Sequence, residues 1–440
     1  MRTLLYALCL VATSLWASDQ IPAATQEKPI LIQHGTLHTV SNGVLDEVDL
    51  LFDQGRITMI EKNITPTTDM TVIDARGKHI YPGLIAGVST LGLVEISAVR
   101  ATLDYDEVGD LTPEVRANVS FNPDSEIIPV TRSNGILFVN VTPRGGTLPG
   151  QSSLMVMDGW TWEEATFNHP TATHINWPDM SLDMSRKAKM KVHEQEKKRR
   201  KRLNDLDEII EKVRQYQTIQ QGRVEGQSHR LAHDLRLESL IPYVNGDKPF
   251  FVHATDVRQL EAAVSWSLKH GVKIVIVGGW DAWKLTELLK TNQIPVIIEG
   301  TLRLPTHRGS HYNDAYSLPA KLYQAGVAFC ISTPGNAFDA AQVRDLPNHA
   351  AMAAAFGLPM DIALRSITLS AAEILGVADQ IGSLDIGKEA SLFIATGDIL
   401  EITTQVEQAF IHGTTTDMND RHKTLYKKYQ EKYKQLGIIE

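Results

Sequence analysis

Between residues 84 and 332 this chain repeats one pattern: a short, fully apolar run followed by a stretch with helical spacing. The apolar runs lie at 84–88, 136–141, 250–253, 273–277, 295–299 and 327–332, and helical periodicity is clear at 257–270 and 281–291. A strand that is apolar on both faces has no side for water. It belongs in a parallel sheet covered by helices, because each parallel connection needs a crossover long enough to hold one. The pattern predicts an α/β fold. The span 83–380 suits a (β/α)8 TIM-like barrel, which uses about 250 residues as one domain.

The two ends read differently. Residues 29–82 hold short β-rich runs broken by turn signals at Asn42-Gly43, Asp53-Gln54-Gly55 and Arg76-Gly77. Residues 381–415 supply further short strands. Together they predict a small composite β-sandwich, 29–82 plus 381–415, that closes around the middle of the chain.

Residues 1–18 read as a secretory signal peptide: Arg2 at the start, an apolar run at 4–11, then the small Ala17 and Ser18. The run falls short of the ~20 apolar residues that span a bilayer, so no transmembrane anchor is expected after cleavage. Residues 19–29 form a linker, and the expected location is periplasmic or secreted. Beyond the signal only Cys330 remains, so the mature chain forms no internal disulfide. The net charge of −9 argues against a nucleic-acid partner.

A helical insertion is predicted at 185–222, with ten Lys or Arg against two Glu at 186–202. Leu203, Leu206, Ile210 and Val213 then follow at helical spacing. This describes a solvated helix with one apolar stripe; the alternative is a basic arm for an anionic partner or membrane surface. A second charged helix is expected at 420–436, packed on the surface.

Three stretches resemble one family. Tyr81-Pro82-Gly83-Leu84-Ile85-Ala86-Gly87-Val88-Ser89-Thr90-Leu91-Gly92 resembles the first-strand motif of the amidohydrolase superfamily. Val72-Ile73-Asp74-Ala75-Arg76-Gly77-Lys78 is similar to the segment that precedes that motif. Residues 367–376 and 381–392 resemble the terminal signature of imidazolonepropionase-like amidohydrolases. The resemblance covers almost the whole mature chain and implies a barrel with a sandwich built from both termini.

It also implies chemistry. Such enzymes hydrolyse amide or related C–N bonds with a metal, usually zinc, that activates water and polarises the substrate carbonyl. Two histidines on the first strand, one each on the fifth and sixth, and an aspartate on the eighth hold it. A carboxylated lysine on the fourth strand sometimes bridges two metals. Here the first-strand positions are Val88 and Thr90, the sixth-strand position is glycine, and Thr333 or Pro334 stands for the aspartate. No lysine ends a fourth strand. Only His253 matches a ligand position, and one imidazole does not hold zinc tightly. The expectation is therefore a degraded metal site with zinc absent or weakly bound. His253 is its catalytic or ligating residue if any metal binds, and otherwise a hydrogen-bonded structural histidine.

Other polar residues follow the strand ends, where barrels of this kind place their chemistry. Arg100, Arg144, Trp280 and Arg303 are the substrate-binding candidates, the arginines for an anionic group such as a carboxylate, and Asp281 is a second catalytic candidate. His307 and His311 have metal spacing, but the residues between them read as loop. Three functions remain open: a C–N hydrolase acting on a small molecule, an inactive barrel binding a small anionic ligand or a partner protein, and an assembly role for the basic helix. The resemblance also implies a homodimer.

Overall fold

The computed structural model describes residues 20–224, 233–306 and 308–439. The proposed signal segment and His307 lie outside the described residues. Among the described residues no helix is long and apolar enough to cross a membrane.

The N-terminal strands are β1 (Ile30–His38), β2 (Val44–Asp53), β3 (Arg56–Glu61), β4 (Thr71–Asp74) and β5 (His79–Pro82). β6 (Leu84–Ser89), β7 (Ile136–Val141), β8 (Gly150–Gln151), β9 (Ser153–Val156), β10 (Thr166–Asn168) and β11 (Thr173–Asn176) follow. Next come β12 (Phe250–Ala254), β13 (Ile274–Gly278), β14 (Val296–Glu299) and β15 (Phe329–Ser332). The chain closes with β16 (Leu392–Ala395), β17 (Val406–Ile411) and β18 (Thr414–Thr416).

The two ends do meet. β1–β5 and β16–β18 join in one continuous sheet of order β18-β17-β16-β5-β1-β2-β3, with β4 also on β1. Along one edge β1 serves two neighbours in turn, and its pairing with β2 on the other edge shifts register on either side of Gly35. Its first half pairs with β4 and its second half with β5. A Cβ at Gly35 would lie 2.1 Å from Ile80 Cδ1, so a larger residue there would push that side-chain end aside. The sheet covers its own apolar core around Leu50, Phe52, Ile80, Leu392 and Phe410.

The middle of the chain forms two sheets, β10-β9-β7-β6 and β15-β14-β13-β12-β11-β8. β6 pairs with β7 in parallel, and β11 through β15 are parallel to one another. Only Ser152 separates β8 from β9, so one extended segment runs antiparallel to β7 in one sheet and to β11 in the other. At the opposite edges, Ser332 Oγ of β15 accepts from Val88 N at 3.0 Å and donates to Val88 O at 3.1 Å. The two sheets therefore touch along both borders and share one apolar core. β9, β10 and β11 were not among the expected strands. Each is four residues or fewer, and the polar Thr173 and His174 break the apolar signature of β11.

Three helices matter below: α1 (Val192–Val224), α2 (Val257–His270) and α3 (Arg421–Gln435). α1 buries Leu206, Ile210, Val213 and Tyr216 on one side. It is pinned where Asp207 meets His270 Nε2 at 2.7 Å and Arg214 donates to His270 O at 2.6 Å. α2 starts at a capping box made by Asp256 and Gln259. α3 buries none of its residues.

Candidate functional site

The C-terminal ends of β7, β11, β12 and β14 bring four side chains from distant parts of the chain into contact. Arg144 lies on the loop after β7. Its Nη1 is 3.2 Å from His253 Nδ1 on β12, and its Nη2 donates to Glu299 Oε1 at the end of β14 at 3.1 Å. On the far side of the ring, His253 Nε2 is 2.9 Å from His174 Nδ1 on β11. Alternation explains the alignment. β11 and β12 are in register with Asn176 opposite His253, so His174 sits two residues deeper on the same face.

The donors assign the protons. Guanidinium only donates, so His253 Nδ1 accepts. A neutral His253 then carries its proton on Nε2 and donates it to His174 Nδ1. His174 is left with its proton on Nε2, a buried atom with no hydrogen-bond partner. Burial, then Arg144, then His174 push the His253 pKa well below its ordinary value. Burial and Arg144 lower His174 to about 3. Both rings therefore remain neutral at physiological pH, as the proton assignment requires.

The loop after β15 closes over the pair. Gly335 N donates to Glu299 Oε1 at 3.4 Å. A Cβ on Gly335 would lie 2.1 Å from Arg144 Nη2 and 2.6 Å from Val88 Cγ1, so only glycine permits this approach. From the other side, Arg144 N donates to Tyr105 O at 2.6 Å and fixes the loop that carries the guanidinium.

The strand-end positions compared above with metal ligands carry few free donor atoms. Val88 is fully buried and has no donor atom. Thr90 donates its hydroxyl to Asn336 O at 3.1 Å. Gly278 has φ +98°, a conformation that a ligating histidine would adopt only under strain. Thr333 Oγ1 is buried without a partner. His253 has both nitrogens engaged, one of them against a cation. Among the described residues no group of three or more His, Cys, Asp or Glu is placed to hold a metal ion.

The remaining candidates lie apart from this cluster. Arg303 stacks 4.5 Å over the Trp280 ring, and both line a separate cleft of 390 Å³ with Trp283, Lys284 and His311. Asp281 faces Lys284 Nζ at 2.8 Å and accepts from Val257 N, at the start of α2, at 3.3 Å. It holds a helix end and does not touch His253. Arg100 is exposed on a short turn, Arg100–Thr102. The three candidate arginines thus have different surroundings and do not converge on one anion. His174 escaped sequence reading because its strand is short and polar. Glu299 ends the apolar run at 295–299, and its role is not visible from the sequence because its partner lies 155 residues away.

Comparison with known proteins bears on this scaffold. Residues 319–419 match the model of the amidohydrolase family. Over 403 residues, 83% of this chain, there is 22% identity to Amidohydrolase tasK of Hapsidospora irregularis, covering 39% of that protein. Another 53-residue match, 12% of this chain, is 45% identical to a dihydroorotase of Sulfurihydrogenibium sp. (strain YO3AOP1) and covers 12% of it. The chain thus spans well under half the length of these curated relatives. Among solved structures, an amidohydrolase from Thermotoga maritima MSB8 superposes with a TM-score of 0.76 at 23% identity, covering 88% of this chain and 99% of that one. At that identity the likeness concerns the fold.

Proposed function

We propose, taking as premise that this chain is a member of the amidohydrolase superfamily, that it uses a TIM-like barrel whose metal centre has been replaced by an arginine-centred network. The barrel reading rests on the two middle sheets touching at both borders, with residues 150–156 and the Ser332–Val88 contact as the joints. Its mouth is then the set of strand ends around His253, where such barrels place their chemistry.

In this reading the protein binds a small anionic ligand at the mouth and does not carry out metal-dependent C–N hydrolysis. One observation carries it: the Arg144 guanidinium lies between His253 and Glu299, in contact with the one surviving ligand position. A divalent metal ion beside that guanidinium is electrostatically costly. The cluster also has an excess of donors. Arg144 Nε and His174 Nε2 are both buried N–H groups without a partner, and an acceptor-bearing ligand such as a carboxylate at the mouth would satisfy Arg144 Nε. The apolar run at 4–11 followed by the small Ala17 and Ser18 supports a periplasmic or secreted location in this reading.

Metal content and ligand binding test the reading together. Protein purified without added zinc is expected to hold no stoichiometric metal by mass spectrometry and to keep its melting temperature in chelator. A screen of small carboxylates is expected to raise the melting temperature of the wild type, and Arg144→Leu should lose that gain. One or two zinc ions per chain, with amide turnover abolished by His253→Ala, would instead establish the hydrolase that the fold's relatives suggest.

A further inference from the structure

α3 presents an apolar face that is left largely exposed among the described residues. The helix is tied down at its start only. Asp420 is buried, accepts from Ser133 Oγ at 2.6 Å and caps Lys423 N at 2.9 Å. Beyond that point every residue to Gln435 is exposed except Gln430. Lys423 and Gln430, the two half-buried positions in the helix, are seven apart and mark the side that leans on the body.

The apolar residues face elsewhere. Leu425, Tyr426, Tyr429, Tyr433 and Leu436 recur at helical spacing, on a stripe about 100° around the axis from Lys423 and Gln430. Tyr426 is 68% exposed, Tyr429 49% and Leu436 61%. Ile438 and Ile439 continue this apolar surface, also exposed. The rest of the helix is basic: six Lys or Arg against one Glu. The whole chain, by contrast, carries −9.

We infer that α3 lies on anionic bilayer surfaces and makes this a peripheral membrane protein. The composition meets the physical requirement of such a helix: a Tyr/Leu face at the depth of the headgroups, with lysines on both flanks to reach lipid phosphates. Charge complementarity selects this occupant over a second copy of the chain. Two α3 helices packed stripe to stripe would set lysine rows against lysine rows, which repel. α1 is the internal contrast. It is also rich in Lys and Arg, but its apolar stripe at Leu206, Ile210 and Val213 is spent on the body of the protein.

Vesicle sedimentation with the full chain tests this. At ~0.1 M salt the protein is expected to pellet with phosphatidylcholine vesicles containing phosphatidylglycerol well above its level with phosphatidylcholine alone, and ~1 M salt should release it. Each lysine neutralised among Lys427, Lys428, Lys432 and Lys434 is expected to weaken the anionic component about fivefold, so the four-fold Gln variant loses it. Tyr426→Ser with Tyr429→Ser and Tyr433→Ser should also lose it while the melting temperature stays unchanged. The inference is overturned by any of three results. The first is an anionic preference that persists in both variants. The second is one that disappears only when Lys197, Lys198, Arg200 and Lys201 of α1 become Gln. The third is a dimer in sedimentation equilibrium that the tyrosine variant alone dissociates.

Discussion

The strand ends around His253 and the outer face of α3 both gather groups that sequence reading associates with binding, and the fold treats them in opposite ways. At the strand ends, Arg144, His253, His174 and Glu299 answer one another and leave Arg144 Nε and His174 Nε2 unpaired, so most but not all of their hydrogen bonding is met inside the protein. On α3 the tyrosines and lysines have almost no internal partners. The difference teaches that clustering alone does not mark an interaction surface. A group whose valence is met within the fold contributes to stability. A group left unmet is available to something outside.

That contrast predicts where substitutions will be felt. The largest effect is expected for Arg144→Ala, which leaves Glu299 with only a long backbone hydrogen bond and His253 without its donor. A loss of about 3 kcal/mol in urea unfolding is expected. Combining Arg144→Met with Glu299→Leu should recover most of it, because an apolar pair replaces the buried ion pair without an orphan charge. No recovery would mean that the network matters for more than pairing.

Leu206→Ala in α1, at a fully buried position, should cost about 2–4 kcal/mol. It serves as the positive control for a basic helix whose stripe is packed. Next comes Gly335→Ala. Its Cβ would press on Arg144 Nη2 and Val88 Cγ1, and a cost of about 1–3 kcal/mol is expected. A neutral result would show that the loop over the mouth yields easily.

Acid should separate the two regions as well. An unfolded histidine takes up its proton near 6.5, whereas burial lowers His174 to about 3. As pH falls from 6.5 the unfolded state binds more protons, so stability declines. The expected slope is about 1.4 kcal/mol per pH unit for each histidine held neutral, with the contribution fully present above 6.5. His253 is lowered in the same direction. His253→Gln should therefore flatten the slope between pH 6.5 and 5, while α3 variants leave it unchanged. The smallest effect belongs to α3 itself: its three tyrosine-to-serine changes should move unfolding stability by less than about 0.5 kcal/mol each. A larger loss would show that the face is covered after all.

Much of the scaffold was legible from local pattern. The apolar runs at 84–88, 136–141, 250–253, 273–277, 295–299 and 327–332 all contain strands of the structure. Strand burial writes itself into neighbouring residues, so a short window suffices to read it. The site was legible only in part. His253 was singled out as a metal ligand or else a hydrogen-bonded histidine, and Arg144 as an anion binder, but their contact with each other was invisible. α3 was expected as a charged helix on the surface, and it lies there with its apolar residues exposed; amphipathic spacing declares that a helix has an apolar side without saying what meets it.

What the sequence by itself determined is chemical identity at fixed places: valine at 88, threonine at 90, glycine at 278 and histidine at 253. Those identities are what raised the expectation of a degraded metal site. What only the tertiary structure decided is which groups meet. Arg144 reaches His253 across 109 residues and Glu299 across 155, and His174 reaches His253 across 79. Contacts at such separations follow from the register and direction of packed strands. No local periodicity records them, and so the arginine at the centre of the site came into view only with the fold.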